Sequence, residues 1–244
     1  IIPPNIQPFM KNLIVAFRSL FKKGQHNVIK ILSLGIGLAA GLVLISKAYF
    51  LQTYDNFFPD KERIYLIVSK YTMNGETDDY GKVSGGVAPA MQRDVPGIET
   101  ATRFTYMGYQ SFFTPDKNRY SGTFIMADTN LFDVLPLPLL YGNAKEVLDR
   151  PMYALVSEKM ARKLGKGNEV IGQTFQFDVF PDRTITVGGI FEDLPENSHL
   201  QYDVILSLSS LPAFFHDGRD NWLGNDRYMG YVKLAPGIRP DSLA

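Results

Sequence analysis

The 244-residue chain has no cysteine, which excludes disulfides and thiol chemistry. It has three histidines, His26, His199 and His216. His199 closes the run Pro195-Glu196-Asn197-Ser198-His199, with a serine beside it and acids nearby. A hydrolytic triad needs histidine to face the serine oxygen while a carboxylate orients the ring. Adjacent residues rarely face one another in that way, so a turn in a loop is the simpler reading. Asp128, Asn130 and Asp133 look like a fragment of a calcium loop. Their spacing and the missing glycine fail that pattern, and helix capping explains them better. Gly-Lys occurs at Gly81-Lys82 and Gly165-Lys166, but neither has the earlier glycine or the following Ser/Thr of a phosphate-binding loop. No Gly-x-Ser-x-Gly elbow occurs. Glu192-Asp193, next to Pro195, reads as a solvated turn. No catalytic residue, metal site or cofactor is expected. A binding or mechanical module fits better than an enzyme.

The elements that would carry such a module are set by an uneven charge distribution. Residues 1–54 contain six basic residues and no acid, a net +6. The remainder holds 19 basic and 25 acidic residues, a net −6. Such a split places the two parts in different surroundings. Ile31 to Ser46 carry no charge. Extended to Val28 and Leu51, the run makes a helix of about 36 Å, enough to span a hydrocarbon core of about 30 Å. Lys30 and Lys47 then snorkel at opposite ends, and Tyr49 and Tyr54 suit the far interface. A buried core helix and a cleaved signal peptide are the weaker alternatives. The uncharged run is long for either, and no small-residue cleavage site follows it. Five of the six basic residues lie before the span or at its N-terminal end, so the positive-inside rule puts the N-terminus in the cytoplasm and the acidic remainder outside it.

Gly37 and Gly41 form a Gly-x-x-x-Gly pair within the span. One reading is a face for a partner helix, and the other is the general frequency of glycine in membrane helices. Before the span, Leu13, Phe17, Leu20 and Phe21 fall at helical spacing between Lys11, Arg18 and Lys22. That pattern describes a basic amphipathic helix on the inner membrane surface, stopped at Gly24. Residues 1–9, with Pro3, Pro4 and Pro8, read as unstructured, and Met10 is a candidate natural start.

Beyond the span the length allows one large domain or two small ones. Arg63 to Thr72 reads as a strand, 73–86 as a loop, Val87 to Asp94 as a helix and Ile98 to Met107 as a strand. Phe124 to Ala127 is a further strand, followed by a helical turn over Leu131 to Leu135 that Asp128 or Asn130 could cap. Ser157 is placed to cap a helix over Glu158 to Leu164, closed by Gly165. Phe175, Phe177 and Val179 alternate with polar residues as a half-buried strand. Ile185 to Phe191 is a strand with a bulge at Gly188-Gly189. Tyr202 to Leu208 and Tyr228 to Leu234 are strands, and Pro236-Gly237 turns the chain. Short strands mixed with short helices imply an α+β class, and the basic residues scattered among acids give no nucleic-acid surface.

One resemblance runs through these motifs in order. Tyr54-Asp55-Asn56-Phe57-Phe58-Pro59-Asp60-Lys61-Glu62-Arg63-Ile64-Tyr65 follows the span. Ala127-Asp128, Leu131-Phe132-Asp133-Val134 and Pro138-Leu139-Leu140-Tyr141-Gly142 come next, then Val156 to Leu164 and Ile171-Gly172. Gly189 to Pro195 with Asn197-Ser198-His199 is the most distinctive run. Over about 10–237 the chain resembles MacB/FtsX-type ABC transporter permeases, especially the Bacteroidetes-like branch.

The resemblance implies a cytoplasmic lead over 1–27, a transmembrane helix over 28–51, a membrane-proximal part formed by 52–110 and 226–244, and an inserted α+β part over 111–225. It also implies further membrane helices beyond this N-terminal segment. The partners it implies are a separate ATPase subunit, a second permease, membrane lipid, and a periplasmic or lipoprotein partner. The implied location is the inner membrane, with the main domain periplasmic. Arg18, Phe21 and Lys22 are the candidates for coupling to the ATPase, and Gly37 and Gly41 for helix packing. The competing reading is a single-pass membrane-anchored binding or sensor module without an ATPase.

Overall fold

The computed structural model describes residues 15, 26–165 and 167–243. The chain divides after Tyr54. In the first part, Asn27–Gln52 is one helix, α1, long and apolar enough to cross a membrane. It contains the sequence-predicted span, and its 26 residues measure about 39 Å. None of its side chains is buried. The hydrophobic side chains therefore have no protein core of their own, as expected of a helix solvated by lipid.

Among the described residues of the second part, nine strands form one sheet. Its members are β1 (Ile64–Ile67), β4 (Ile98–Phe113), β5 (Arg119–Ala127), β6 (Leu139–Tyr141), β7 (Tyr153–Ser157), β8 (Thr174–Phe177), β9 (Phe180–Phe191), β10 (Val204–Ser207) and β11 (Tyr228–Leu234). The order is β1-β11-β4-β5-β10-β7-β9-β6, with β8 paired to β4 and β9. β10 runs parallel to β5, and β7 to β9, while the other pairs are antiparallel. Short helices pack around it: α2 (Val87–Asp94), α3 (Leu131–Val134), α4 (Ala144–Asp149), α5 (Glu158–Leu164) and α6 (Leu211–Phe214). This is the expected α+β class.

The central strands carry unbroken apolar runs, at 124–127 in β5, 154–156 in β7 and 204–206 in β10, because both faces of the sheet are covered there. In β5, Phe124 and Met126 face one core while Ile125 and Ala127 face another. β10 repeats this, with Val204 and Leu206 on the first side and Ile205 on the second. The first core holds Phe112, Phe124, Phe175 and Phe177, whose rings meet at centroid distances of 4.8–6.1 Å. Burying each such ring contributes about 1.5–3 kcal/mol, so these few aromatics dominate the packing there. The second core holds Phe58, Phe104, Leu155, Phe191 and Tyr231. A smaller one, of Ala88, Ile98, Ala101, Val232 and Leu234, seats α2.

Several local expectations change. Arg63 to Thr72 is two strands in different sheets, broken at Val68. The expected loop at 73–86 contains a strand, β3 (Glu76–Tyr80), that pairs with β2 (Ser69–Met73) as a hairpin. Asn74 and Gly75 make its turn with φ of 56° and 85°, the left-handed pair that an Asn-Gly hairpin turn requires. β4 continues past Met107 through a bulge to Phe113. Val179 sits in the two-residue turn between β8 and β9 and is exposed. The α3 turn has no side-chain cap, because Asp128 is engaged elsewhere. The Ser157 cap is present, its hydroxyl accepting from Met160 N at 3.1 Å. The bulge falls at Gly188, which the register skips between Val187 and Gly189.

Gly142 shows why glycine is needed beside that bulge. Its φ is 91°, and a Cβ there would lie 2.6 Å from the Gly188 carbonyl oxygen. Neither the conformation nor the backbone contact tolerates a side chain. Gly142→Ala is expected to lower unfolding stability by about 1–3 kcal/mol. Urea denaturation checks this, and an unchanged midpoint would contradict the packing described for β6 and β9.

Candidate functional site

The two most distinctive sequence runs meet in space. Asp55 is the first acid of the chain and follows directly on the residues that end α1. It adopts a left-handed backbone, with φ of 55°. Its amide donates to the Asn197 carbonyl at 2.9 Å. Its carboxylate accepts from the Ser198 hydroxyl at 2.9 Å, from the His199 amide at 3.2 Å and from His199 Nδ1. A carboxylate only accepts, so Nδ1 carries the hydrogen. On the other side of the ring, His199 Nε2 and the Tyr231 hydroxyl lie 2.7 Å apart. Tyr231 belongs to β11, so this chain of contacts ties Asp55 to the sheet.

The loop that holds Asp55 is itself braced. Ser198 N donates to Pro195 O, and the Ser198 hydroxyl accepts from Leu200 N at 3.1 Å. Gln201 Nε2 donates to the Pro195 and Ser198 carbonyls. Next to Asp55, Phe58 is buried in the second core and its ring lies 4.2 Å from that of Phe57. Further along, Asp60 takes an ion pair from Lys233 of β11 at 3.1 Å. The hydrogen bond and charge of Lys233 hold the Asp60 carboxyl below the usual carboxylate range. Arg63 donates to Leu234 O at 2.8 Å and pairs with Glu99. Residues 55–63 are thus fastened at four points: Asp55 to the 195–201 loop, Asp60 and Arg63 to β11, and Arg63 to β4.

Ser198, His199 and Asp55 are the residue types of a hydrolytic triad, but their arrangement is different. The Ser198 hydroxyl is buried and donates to Asp55, while His199 Nε2 is bound to Tyr231. A nucleophilic serine would have to face that nitrogen. The trio therefore clasps the backbone and does not present a nucleophile. Beside it lies a groove of about 490 Å³ walled by Phe57, Pro59, Pro136, Pro138 and Pro195, with Glu192 at its edge. Asp193 also lines the groove, but its carboxylate is occupied by Lys159 N at 2.7 Å and by Arg162 at 3.0 Å.

A second polar cluster explains Asp128. Arg103 is buried, and its guanidinium pairs with Asp128 at 3.0 Å and donates to the Gly85 and Arg219 carbonyls. Burial pushes the Asp128 carboxyl up against the opposing pull of Arg103. Asn130 and Asp133 do not join it: Asp133 pairs with Lys145. Among the described residues no group of three or more His, Asp or Glu converges as a metal site. Arg18, Phe21 and Lys22 lie outside the described residues. Gly37 and Gly41 lie in α1, where an added Cβ at either meets nothing within 4 Å.

The sequence marks Asp55 and Ser198-His199 as motif residues without showing that they join. Tyr231 carries no signal beyond strand alternation. The signal available was that Asp55 breaks an acid-free run of 54 residues immediately after the span.

A family described as the MacB-like periplasmic core domain matches residues 28–244. Three solved structures are similar to this chain. One is a domain of a Porphyromonas gingivalis protein described as a permease, 39% identical, covering 76% of this chain and 81% of its own, with a TM-score of 0.67. The periplasmic region of MacB from Actinobacillus actinomycetemcomitans is 14% identical and covers 66% of this chain and 68% of its own, with a TM-score of 0.51. The extracellular domain of the noncanonic ABC-type transporter YknZ from Gram-positive bacteria is also 14% identical, covering 66% and 78%, with a TM-score of 0.50. The last two share the fold alone. Comparison with curated proteins gave no match.

Two outcomes test the clasp. Asp55→Ala and His199→Ala should each destabilise the protein by about 1–3 kcal/mol, with a coupling of about 0.5–3 kcal/mol in the double-mutant cycle. Additive losses would show that the two side chains do not act together. The second outcome concerns alkaline pH. Burial, with nearby Tyr106 and Asp55, raises the Tyr231 phenol above its ordinary value, and burial does the same to Tyr202. A raised acid stabilises the fold fully below its unfolded pKa of about 10, and that contribution is lost as pH rises beyond it. Urea stability should therefore fall above about pH 10, and Tyr231→Phe should flatten the fall. An unchanged slope in the variant would contradict the burial assigned to this phenol.

Proposed function

The chain belongs to the MacB-like periplasmic core domain family, and from that premise we propose that it is the N-terminal part of an ABC transporter permease that turns ATP hydrolysis by a separate subunit into movement of its extracytoplasmic domain. In this reading the N-terminus is cytoplasmic, α1 crosses the inner membrane, and residues from Asp55 onward stand in the periplasm. The basic lead with Arg18, Phe21 and Lys22 contacts the ATPase. Gly37 and Gly41 receive a helix of a second permease or a later helix of the same one, and the open space beside both glycines supports that role. Residues 52–110 and 226–244 form the membrane-proximal part, and 111–225 form the insertion.

The observation that carries the reading is the clasp at Asp55. A lever needs a stiff joint between the arm that is pushed and the body that is moved. Two residues, Thr53 and Tyr54, lie between the last residue of α1 and Asp55, the first residue tied to the 195–201 loop. In this reading, displacement of the helix end reaches the sheet through Asp55 and the 195–201 loop. The substrate or partner is then exported, extracted or activated by that movement.

The test uses the full permease reconstituted with its ATPase in lipid nanodiscs. Asp55→Asn should keep ATP hydrolysis within about twofold while substrate movement falls about tenfold or more, a loss of about 1.4 kcal/mol of coupling. Parallel loss of both activities, or loss of neither, would overturn the joint as the transmitting element. Arg18→Glu with Lys22→Glu should weaken stimulated hydrolysis, and unchanged hydrolysis would count against the lead as the ATPase contact.

A further inference from the structure

A smaller cavity lies away from the clasp, between α6, β4 and the segment before α2. Its volume is about 270 Å³, and Lys82, Thr105, Met107, Leu211, Phe215 and Arg227 line it. An isolated antiparallel bridge holds its two cationic segments together: Val83 N donates to Tyr228 O at 2.8 Å, and Tyr228 N to Val83 O at 3.2 Å. The Thr105 hydroxyl donates to Arg227 O at 3.2 Å, which fixes the second segment to β4.

Arg227 is held without an acid. Its guanidinium carbon lies 5.4 Å from the Tyr228 ring centre and 6.0 Å from that of Phe215, and one Nη donates to His216 O at 2.9 Å. Its Nε is buried and has no hydrogen-bond partner among the described residues. Neither Arg227 nor Lys82 has a carboxylate within 4.0 Å among the described residues. Most described arginines beyond Tyr54 do have an acid within that distance: Arg63, Arg93, Arg103, Arg119, Arg162, Arg183 and Arg219 are paired, whereas Arg150, Arg227 and Arg239 are not. Two cations at one cavity repel each other, more strongly near low-dielectric walls than in water. An anion entering between them relieves that repulsion and gains a charge-assisted hydrogen bond. Met107, Leu211 and Phe215 supply an apolar wall on which the rest of such a molecule can pack.

We propose that this cavity binds an organic carboxylate carried on a small apolar or aromatic group, with Lys82 meeting the carboxylate, Arg227 adding fixed positive charge, and Phe215 and Met107 packing the apolar body. The volume sits just under the range of about 300–1,000 Å³ that encloses whole drug-sized ligands. It therefore suits a small acid or the acidic end of a larger molecule.

Photoaffinity labelling of the full chain in detergent tests this. The probe is 4-benzoylbenzoate, and the neutral control is 4-benzoylbenzamide. The acid should label peptides containing 105–107 and 211–215 about tenfold more than the amide, as one charge-assisted contact predicts. Benzoate should compete with the label, and inorganic phosphate should not. Lys82→Gln should reduce labelling about tenfold, and Lys82→Arg should restore it. Equal labelling by the amide, labelling elsewhere, competition by phosphate as strong as by benzoate, or full labelling of Lys82→Gln would each overturn the proposal. If Lys82→Gln shifts the urea midpoint, the benzoate and phosphate competitions on the unaltered protein decide the matter alone.

Discussion

A single carboxylate fixes how the chain enters its folded domain. Asp55 accepts from a hydroxyl, an amide and an imidazole, all from the 198–199 segment, while its own amide is bonded to Asn197. Such an acceptor is worth more than any one of its bonds. Removing it leaves the hydrogen of the buried Ser198 hydroxyl without an acceptor, and leaving buried polar groups unsatisfied is what costs stability. The histidine extends the contact to Tyr231, and through it to β11. Asp60 with Lys233, and Arg63 with Glu99 and Leu234 O, repeat the attachment a few residues later. Each of these exposed pairs is weak alone. Together with the buried Phe58 they leave residues 55–63 little independent motion.

What the fastening acts on is a sheet covered on both faces. β5, β7 and β10 alternate their side chains between two apolar cores, so neither face can slip without exposing large residues to water. β4 carries this continuity furthest, running from Ile98 to Phe113 past the bulge at Met107-Gly108. Near the cavity between α6 and β4, Arg103 holds the Gly85 and Arg219 carbonyls, and the Val83–Tyr228 bridge joins the segments that carry Lys82 and Arg227.

Much of this was legible in the sequence where local physics decides. The span follows from an uncharged run between two lysines, and α2 and β11 have the bounds that periodicity and turn residues predict. The Ser157 cap and the Gly188 bulge are likewise local. Other features depend on distant partners. Asp128 reads as a helix cap because the sequence cannot show Arg103, which lies 25 residues earlier, turning the carboxylate inward. Asp55 and His199 are 144 residues apart, so their union is invisible to spacing. The β2–β3 hairpin is different. Asn74-Gly75 is a strong local turn signal, but the polar character of the flanking residues, which are almost all exposed, hides the strand pattern around it.

The central claim is that the chain at Asp55 is joined to the sheet through the 198–199 segment and Tyr231. Site-resolved amide hydrogen exchange of the full chain in a bilayer mimetic tests it most directly, because it reads the free energy at which each backbone bond opens. The amides of Asp55 and His199 should exchange as slowly as those of β5, through the same cooperative opening. Rapid exchange at Asp55 and His199 while β5 stays protected would show a frayed joint and contradict the account.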